Sequence, residues 1–181
     1  IVMIKNKVVI LTGGSGLIGQ ALCKSIAKNN GYVIVADIIE NNEFKKDIKN
    51  DSNMEYYYLN VSSQDSINNI IKYCDKKFGK IDVWINNAYL KTTKNSKNKR
   101  EYSDDFFNLS YENFCESVQL NQGSIFLCSK FISKYFLKQG YGHIINVSSI
   151  YGLIAPRFEI YENTGMTMPL DYAMNKSAII H

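Results

Sequence analysis

The stretch Val8-Val9-Ile10-Leu11-Thr12-Gly13-Gly14-Ser15-Gly16-Leu17-Ile18-Gly19 decides how the rest of the chain is read. Val8 to Leu11 is a short branched apolar run, the signature of a strand buried on both faces of a parallel sheet. It runs straight into glycines at 13, 16 and 19. Apolar residues then recur at helical spacing from Leu17 to Lys28, through Ile18, Leu22 and Ile26. Between a strand and a helix, such glycines permit a tight turn, close backbone approach to a pyrophosphate, and close packing of helix on sheet. A lone glycine trio is weak, and a glycine-rich turn holding no ligand is the plain alternative. The flanking strand and helix supply the context that the motif needs.

Working outward, strand and helix patterns alternate. Tyr32–Ile38 reads as a second strand, Met54–Leu59 as a weaker third, Ile81–Asn86 as a fourth and His143–Ser148 as a fifth. Ser62 and Asp65 offer a capping-box-like start to a helix that runs to about Phe78 and stops at Gly79. Ser110 caps a long helix from about Tyr111 to Gln139, ended by Gly140 and Gly142, and a last helix begins near Asp171. There are no repeats and no linker, so the expectation is one domain over 1–181. Its fold class is α/β, a doubly wound parallel sheet in three αβα layers.

Composition narrows the classes. With 45% hydrophobic and 21% charged residues, the chain has material for a core. No run of apolar residues is long enough to span a membrane, and the first residues, IVMIKNK, lack the pattern of a signal peptide. Cys23, Cys74, Cys115 and Cys128 form no CxxC pair, and only His143 and His181 are histidine, so no metal site is expected. These features suit a cytoplasmic protein with reduced thiols. Cys115 and Cys128 are expected to pack in the long helix, and His143 to start a strand. The net charge of +4 is modest and arginine is confined to Arg100 and Arg157, which does not favour a nucleic-acid partner. The run Lys91 to Arg100, KTTKNSKNKR, is either a solvated loop or an electropositive rim that attracts an anionic substrate.

Chemistry is suggested at two places. Asp37 ends the second strand, where a carboxylate accepts ribose hydroxyl protons and repels a 2′-phosphate, so NAD is favoured over NADP. Tyr172 and Lys176 form a Y-x-x-x-K pair that shares one face of a helix, where an ammonium supports the phenolate and holds a cofactor hydroxyl. About one such pair is expected by chance at this tyrosine and lysine content. A second, Tyr73 and Lys77, has no serine-bearing strand just upstream and reads as surface. The Tyr172 pair follows Ser148-Ser149 at the end of the fifth strand, the edge at which ligands bind in such sheets.

From Lys7 onward the chain resembles the short-chain dehydrogenase/reductase superfamily. The matching elements, in order, are TGGSGLIG, Asp37, Asn86-Asn87-Ala88, Asn121, Ser149, Tyr172 and Lys176. The resemblance implies a Rossmann-like fold in a longer chain, so that the C-terminal strands are missing here and a sheet edge is left unpaired. It implies Tyr172 as general acid/base and Lys176 as its electrostatic support and a ligand of the nicotinamide ribose. Ser149 would orient the substrate oxygen, and Asn121 would hold a water that relays protons to Lys176. Cofactor contacts would come from Thr12, Gly13, Ser15, Gly16, Leu17, Ile18, Gly19, Asp37, Asn60, Val61, Asn87, Ala88, Tyr172 and Lys176. A homodimer or homotetramer is implied as well.

Two branches of the superfamily compete. The glycine spacing is similar to the extended branch that works on nucleotide sugars, whereas Asn86-Asn87-Ala88 and Asn121 are similar to the single-domain branch. Tyr89 stands where that branch usually has glycine. The stretch between Ser149 and Tyr172 is longer than usual there, and offers Arg157, Glu159, Glu162, Asn163 and Thr164, a set suited to a sugar. The chain therefore looks like dehydrogenases of bacterial surface-sugar or flagellin-modification pathways. An NAD-dependent oxidoreductase acting on a sugar or sugar phosphate is expected. The alternatives are a 3-oxoacyl thioester reductase, a nucleotide-sugar epimerase or dehydratase, and a non-catalytic dinucleotide-binding protein.

Overall fold

The computed structural model describes residues 4–89, 107, 109–164 and 168–181. Five strands form one all-parallel sheet: β1 (Val8–Thr12), β2 (Tyr32–Asp37), β3 (Met54–Tyr58), β4 (Val83–Asn86) and β5 (His143–Asn146). Their order across the sheet is β3-β2-β1-β4-β5, so β1 is central and the chain reverses direction of travel on either side of it. The helices are α1 (Leu17–Lys28), α2 (Phe44–Asn50), α3 (Gln64–Phe78), α4 (Tyr111–Val118), α5 (Ser124–Gln139) and α6 (Leu170–Ile180). A π-helical turn occupies Gln119–Gly123, and 3₁₀ turns occupy Ile150–Gly152 and Phe158–Tyr161. The described residues group into two compact units, one within Ile1–Tyr89 and Ile125–Val147, the other within Leu90–Ser124 and Ser148–His181.

The first unit holds the sheet, and its core follows from strand alternation. Val9 and Leu11, Val33 and Val35, and Val83 and Ile85 face one side, where Cys23 and Ala27 of α1 and Phe44 of α2 pack on them. The intervening Ile10, Ile34 and Trp84 point to the opposite side and are also fully buried. That side is covered by α3, through Ile67, Ile70 and Cys74, and by α5, through Cys128, Ile132 and Phe136. With both faces covered, the central strands read as unbroken apolar runs rather than alternating ones. This is the expected three-layer, Rossmann-like arrangement. β5 lies at one edge of the sheet, and its Ile145 is about half exposed.

Several local expectations need amendment. Ser63, not Ser62, caps α3, its hydroxyl accepting the Ser66 N–H at 3.3 Å, while the Ser62 N–H turns back to Asn60 Oδ1 at 3.0 Å. Gly79 ends α3 as expected. Ser110 caps α4 through the Asn113 N–H, but the long helix expected to follow is interrupted by the π turn. Helix α2 has no apolar period to announce it; Phe44 anchors it in the core and Asn41 Oδ1 accepts the N–H groups of Glu43 and Phe44. Among the described residues no helix is long and apolar enough to cross a membrane, and no group of three His, Cys, Asp or Glu could hold a metal ion.

The cysteines divide by burial. Cys23, Cys74 and Cys128 are buried, and desolvation pushes each thiol up to about 12. Cys115, expected inside, is exposed on α4. A thiolate is the reactive form. In the native protein at pH 8, a thiol reagent is expected to label Cys115 and leave the other three until denaturant is added; mass mapping of the labelled sites checks this.

Candidate functional site

In the first unit, the end of β1 is tied to the end of β4 by one side chain. Thr12 Oγ1 donates to the Ile85 carbonyl at 3.2 Å and accepts the N–H groups of Asn87 at 3.0 Å and Ala88 at 3.1 Å. Asn87 Nδ2 returns the contact, donating to the carbonyls of Thr12 and Gly13 at 3.1 Å each. Gly13 is left-handed at φ 65°, and a Cβ there would lie 2.7 Å from Ala88 Cα. At Gly19 a Cβ would lie 2.1 Å from the Gly13 carbonyl oxygen, so α1 reaches the turn at the closest distance a backbone allows.

Gly16 differs from these two. It is exposed, and a Cβ there would meet only the Gly13 oxygen at 3.4 Å, so its outer face is open. It is also the N-cap of α1, with no side-chain cap and no acidic residue in the first turn. The first N–H groups of the helix therefore have no side-chain acceptor from within the helix or its cap. Beside it the Ser15 hydroxyl is buried without a hydrogen-bond partner among the described residues. An unpaired buried hydroxyl is costly, and here it stands next to open backbone and a helix N-terminus, the surroundings that an anionic pyrophosphate needs. The residues present fit a dinucleotide. Leu17 and Ile18 are exposed on the first turn of α1.

Asp37, at the end of β2, accepts the Ser15 N–H on Oδ2 at 3.0 Å and the Ile39 N–H on Oδ1 at 3.1 Å. The carboxylate is thus fixed to the glycine turn while each oxygen keeps a further lone pair. The Asp37 carbonyl accepts the Leu59 N–H at 3.0 Å, which brings the turn after β3 alongside. In that turn Asn60 uses Oδ1 on Ser62, as above, and its N–H on Ser66 Oγ at 3.0 Å, while Val61 is buried. The predicted cofactor residues of this unit are therefore gathered at the C-terminal ends of β1, β2, β3 and β4.

The second unit brings the other predicted residues together on α6 and two turns. Asn121 is buried in the π turn; its Nδ2 donates to the Ser117 carbonyl at 3.0 Å, and its own carbonyl accepts from the Ser124 hydroxyl at 3.3 Å. Ser149 caps the 3₁₀ turn Ile150–Gly152, its Oγ accepting the Tyr151 N–H at 3.2 Å. Helix α6 packs against both turns. Ser148 Oγ donates to the Lys176 carbonyl at 2.6 Å, and a Cβ on Gly152 would lie 2.7 Å from that same oxygen. Lys176 is buried, its Nζ lies 5.7 Å from the centroid of the Tyr172 ring, and desolvation lowers the pKa of its ammonium.

The other Y-x-x-x-K pair behaves differently. Tyr73 donates to Glu55 of β3, which also accepts from Lys77 and, at 2.9 Å, from Tyr32. Partial burial and the Glu55 carboxylate raise the Tyr73 phenol, which suits a structural network rather than an acid/base. Tyr73 is half-buried and Lys77 exposed, so the pair lies at the surface as expected, tied into this network. In the long insert, Arg157, Glu159, Glu162, Asn163 and Thr164 are exposed. Burial and a side-chain hydrogen bond to Tyr151 raise the Tyr161 phenol. Ser117, Gln122, Asp171 and Asn175, which no motif singles out, hydrogen-bond around Asn121 and α6. Buried polar residues at helical positions are their only signal, and sequence does not report burial. The basic run Lys91 to Arg100 lies outside the described residues.

A parallel sheet with a helix that starts, without a side-chain cap, after a glycine turn is the architecture of a dinucleotide-binding α/β protein. The chain belongs to the short chain dehydrogenase family, whose sequence profile matches residues 7–162. It is 39% identical to post-translational flagellin modification protein A of Campylobacter coli, over 99% of this chain and 69% of that protein. A short chain dehydrogenase of Leptospira borgpetersenii solved with bound NAD+ matches with a TM-score of 0.78 and 28% identity, over 98% of this chain and 63% of that one. The structure of ElxO with NADP bound matches with a TM-score of 0.72 and 27% identity, over 97% and 64%. The chain thus spans slightly less than two thirds of these two solved proteins.

The Thr12 hydroxyl supports both strand ends, so its removal should be felt in stability. Thr12→Val keeps the shape but leaves the Asn87 and Ala88 N–H groups without their acceptor, at about 1–3 kcal/mol per unsatisfied group. Urea denaturation is expected to show a loss of about 2 kcal/mol or more for Thr12→Val and a much smaller loss for Thr12→Ser.

Proposed function

We propose that the chain carries the cofactor cradle and the acid/base residues of an NAD-dependent oxidoreductase that interconverts a secondary alcohol and a ketone. The observation that carries this reading is the Tyr172–Lys176 pair, with the ammonium buried and turned toward the phenol ring. When bound, the nicotinamide supplies or takes up the hydride.

The chain's own residues then manage the proton. In the reductive direction Tyr172 Oη gives its proton to the carbonyl oxygen of the substrate; in oxidation it takes the proton from the hydroxyl. Lys176 stabilises the negative charge left on the phenol oxygen and has donors for the ribose of the cofactor. Ser149 Oγ already accepts a backbone N–H, so its own proton is available to the substrate oxygen. Asn121, held by Ser117, offers a polar anchor for a water that hands protons on to Lys176. In the cradle, the Ser15 hydroxyl and the N–H groups at the start of α1 take the pyrophosphate. Thr12, Asn87 and Ala88 keep the strand ends in place beneath it.

Asp37 supports NAD over NADP. Its two oxygens keep lone pairs for the ribose hydroxyls, and its negative charge opposes a 2′-phosphate. For the substrate, the exposed Arg157, Glu159, Glu162 and Asn163 favour a molecule rich in hydrogen-bonding groups, a sugar or sugar phosphate. The likeness to a flagellin modification protein supports the same assignment, to a dehydrogenase of a flagellin-modification pathway.

Tyr172→Phe is expected to lower turnover by roughly 10²–10⁴-fold with NAD affinity retained, as read by steady-state kinetics and NAD titration; wild-type turnover in that variant overturns the role. Asp37→Arg is expected to move cofactor preference toward NADP, checked as the ratio of kcat/KM for the two dinucleotides.

A further inference from the structure

Four polar residues of α6 fall on two stripes. Asp171 and Asn175, four apart, are 3% and 0% exposed, and both reach Ser117 of α4. Tyr172 and Lys176, also four apart, each stand one residue further on, about 100° around the helix. Whatever fixes the first stripe therefore fixes the direction in which the second one points.

Ser117 Oγ is the hub of that fixation. It donates its proton to Asp171 Oδ2, and it accepts Asn175 Nδ2 at 2.9 Å and, more weakly, Asn121 Nδ2 at 3.4 Å. Asn175 Oδ1 in turn accepts Gln122 Nε2 at 2.9 Å, from the residue after Asn121. One buried oxygen thus references both Asn121 and the helix that carries Tyr172 and Lys176. Apolar contacts would hold α6 against α4 yet tolerate sliding and rotation, whereas matched donors and acceptors permit one azimuth. Burying such a set gains little net stability over apolar side chains of similar size, so its effect is on orientation.

We propose that Ser117, Asp171 and Asn175 are positioning residues that set the rotation of α6 and thereby aim Tyr172 and Lys176 at the reacting atoms. The proposal rests on Tyr172 and Lys176 being the working pair. None of the three need touch substrate or cofactor.

The test compares Ser117→Ala, which removes the hub, with Ser117→Thr, which keeps a hydroxyl. The first readout needs no substrate: the ¹³Cζ NMR resonance of Tyr172, assigned by its disappearance in Tyr172→Phe. The second is kcat against KM for NAD. Ser117→Ala is expected to move the Tyr172 resonance and lower kcat by roughly 10- to 100-fold, with KM for NAD within about twofold. Ser117→Thr is expected to restore both. A folded Ser117→Ala protein with the Tyr172 resonance unmoved, or a threonine variant as impaired as the alanine one, overturns the proposal. If Ser117→Ala does not fold, Asn175→Ala removes a single spoke and is read by the same two criteria. If the wild-type protein turns over no alcohol or ketone, the oxidoreductase reading fails, and the resonance still decides whether the network positions Tyr172.

Discussion

One hydroxyl group, that of Thr12, holds the nucleotide end of the sheet together. In a parallel sheet the C-terminal strand ends are where the ladder stops, so their last backbone groups need other partners. Thr12 supplies them for β4, and Asn87 supplies them for β1. The glycine turn depends on this bracing. Gly13 lies close enough to Ala88 that no side chain fits, and Gly19 lies close enough to Gly13 that α1 starts directly over the sheet. Loosening the brace would let β4 move away from β1, and the backbone N–H groups at the start of α1 would lose their fixed direction. The buried Ser15 hydroxyl, which has no hydrogen-bond partner among the described residues, lies beside this fixed backbone.

The sheet and its glycine turn were legible in the sequence because they rest on local requirements. Branched apolar runs mark strands buried on both faces, and a glycine is compulsory where φ is positive or where two backbones touch. Asp37 was legible for the same reason, as a carboxylate at a strand end. The misses are all places where a tertiary partner decides. Ser62 and Ser63 are chemically identical candidates for a cap, and Asn60 settles the matter by taking the Ser62 N–H. The π turn at Gln119–Gly123 adds a residue to a helical turn without any glycine or proline signal at its start. Such insertions are frequently found at functional sites, and here it is the turn that carries Asn121. Helix α2 exists because Phe44 finds the core, not because of its period. Cys115 carries no mark that separates it from Cys128, yet the two differ entirely in exposure.

The two Tyr-x-x-x-Lys pairs show most directly what spacing can and cannot say. Both sit on helices, so both bring an ammonium toward a phenol ring, at 5.5 Å for Tyr73 and 5.7 Å for Tyr172. The surroundings of the two lysines are distinct. Around Tyr73 a carboxylate, Glu55, accepts from the phenol and from the ammonium together. The lysine's charge is spent on Glu55, the phenol is held as a donor, and burial with the carboxylate raises it. Lys176 is buried, and desolvation lowers the pKa of its ammonium. A buried cation with weak solvation acts strongly on any negative charge that develops nearby. An acid/base tyrosine gains from such a neighbour. The same five-residue pattern therefore yields a stapled helix in one place and a candidate proton donor in the other. What marks the first pair is Glu55 of β3, a tertiary neighbour that no local pattern contains.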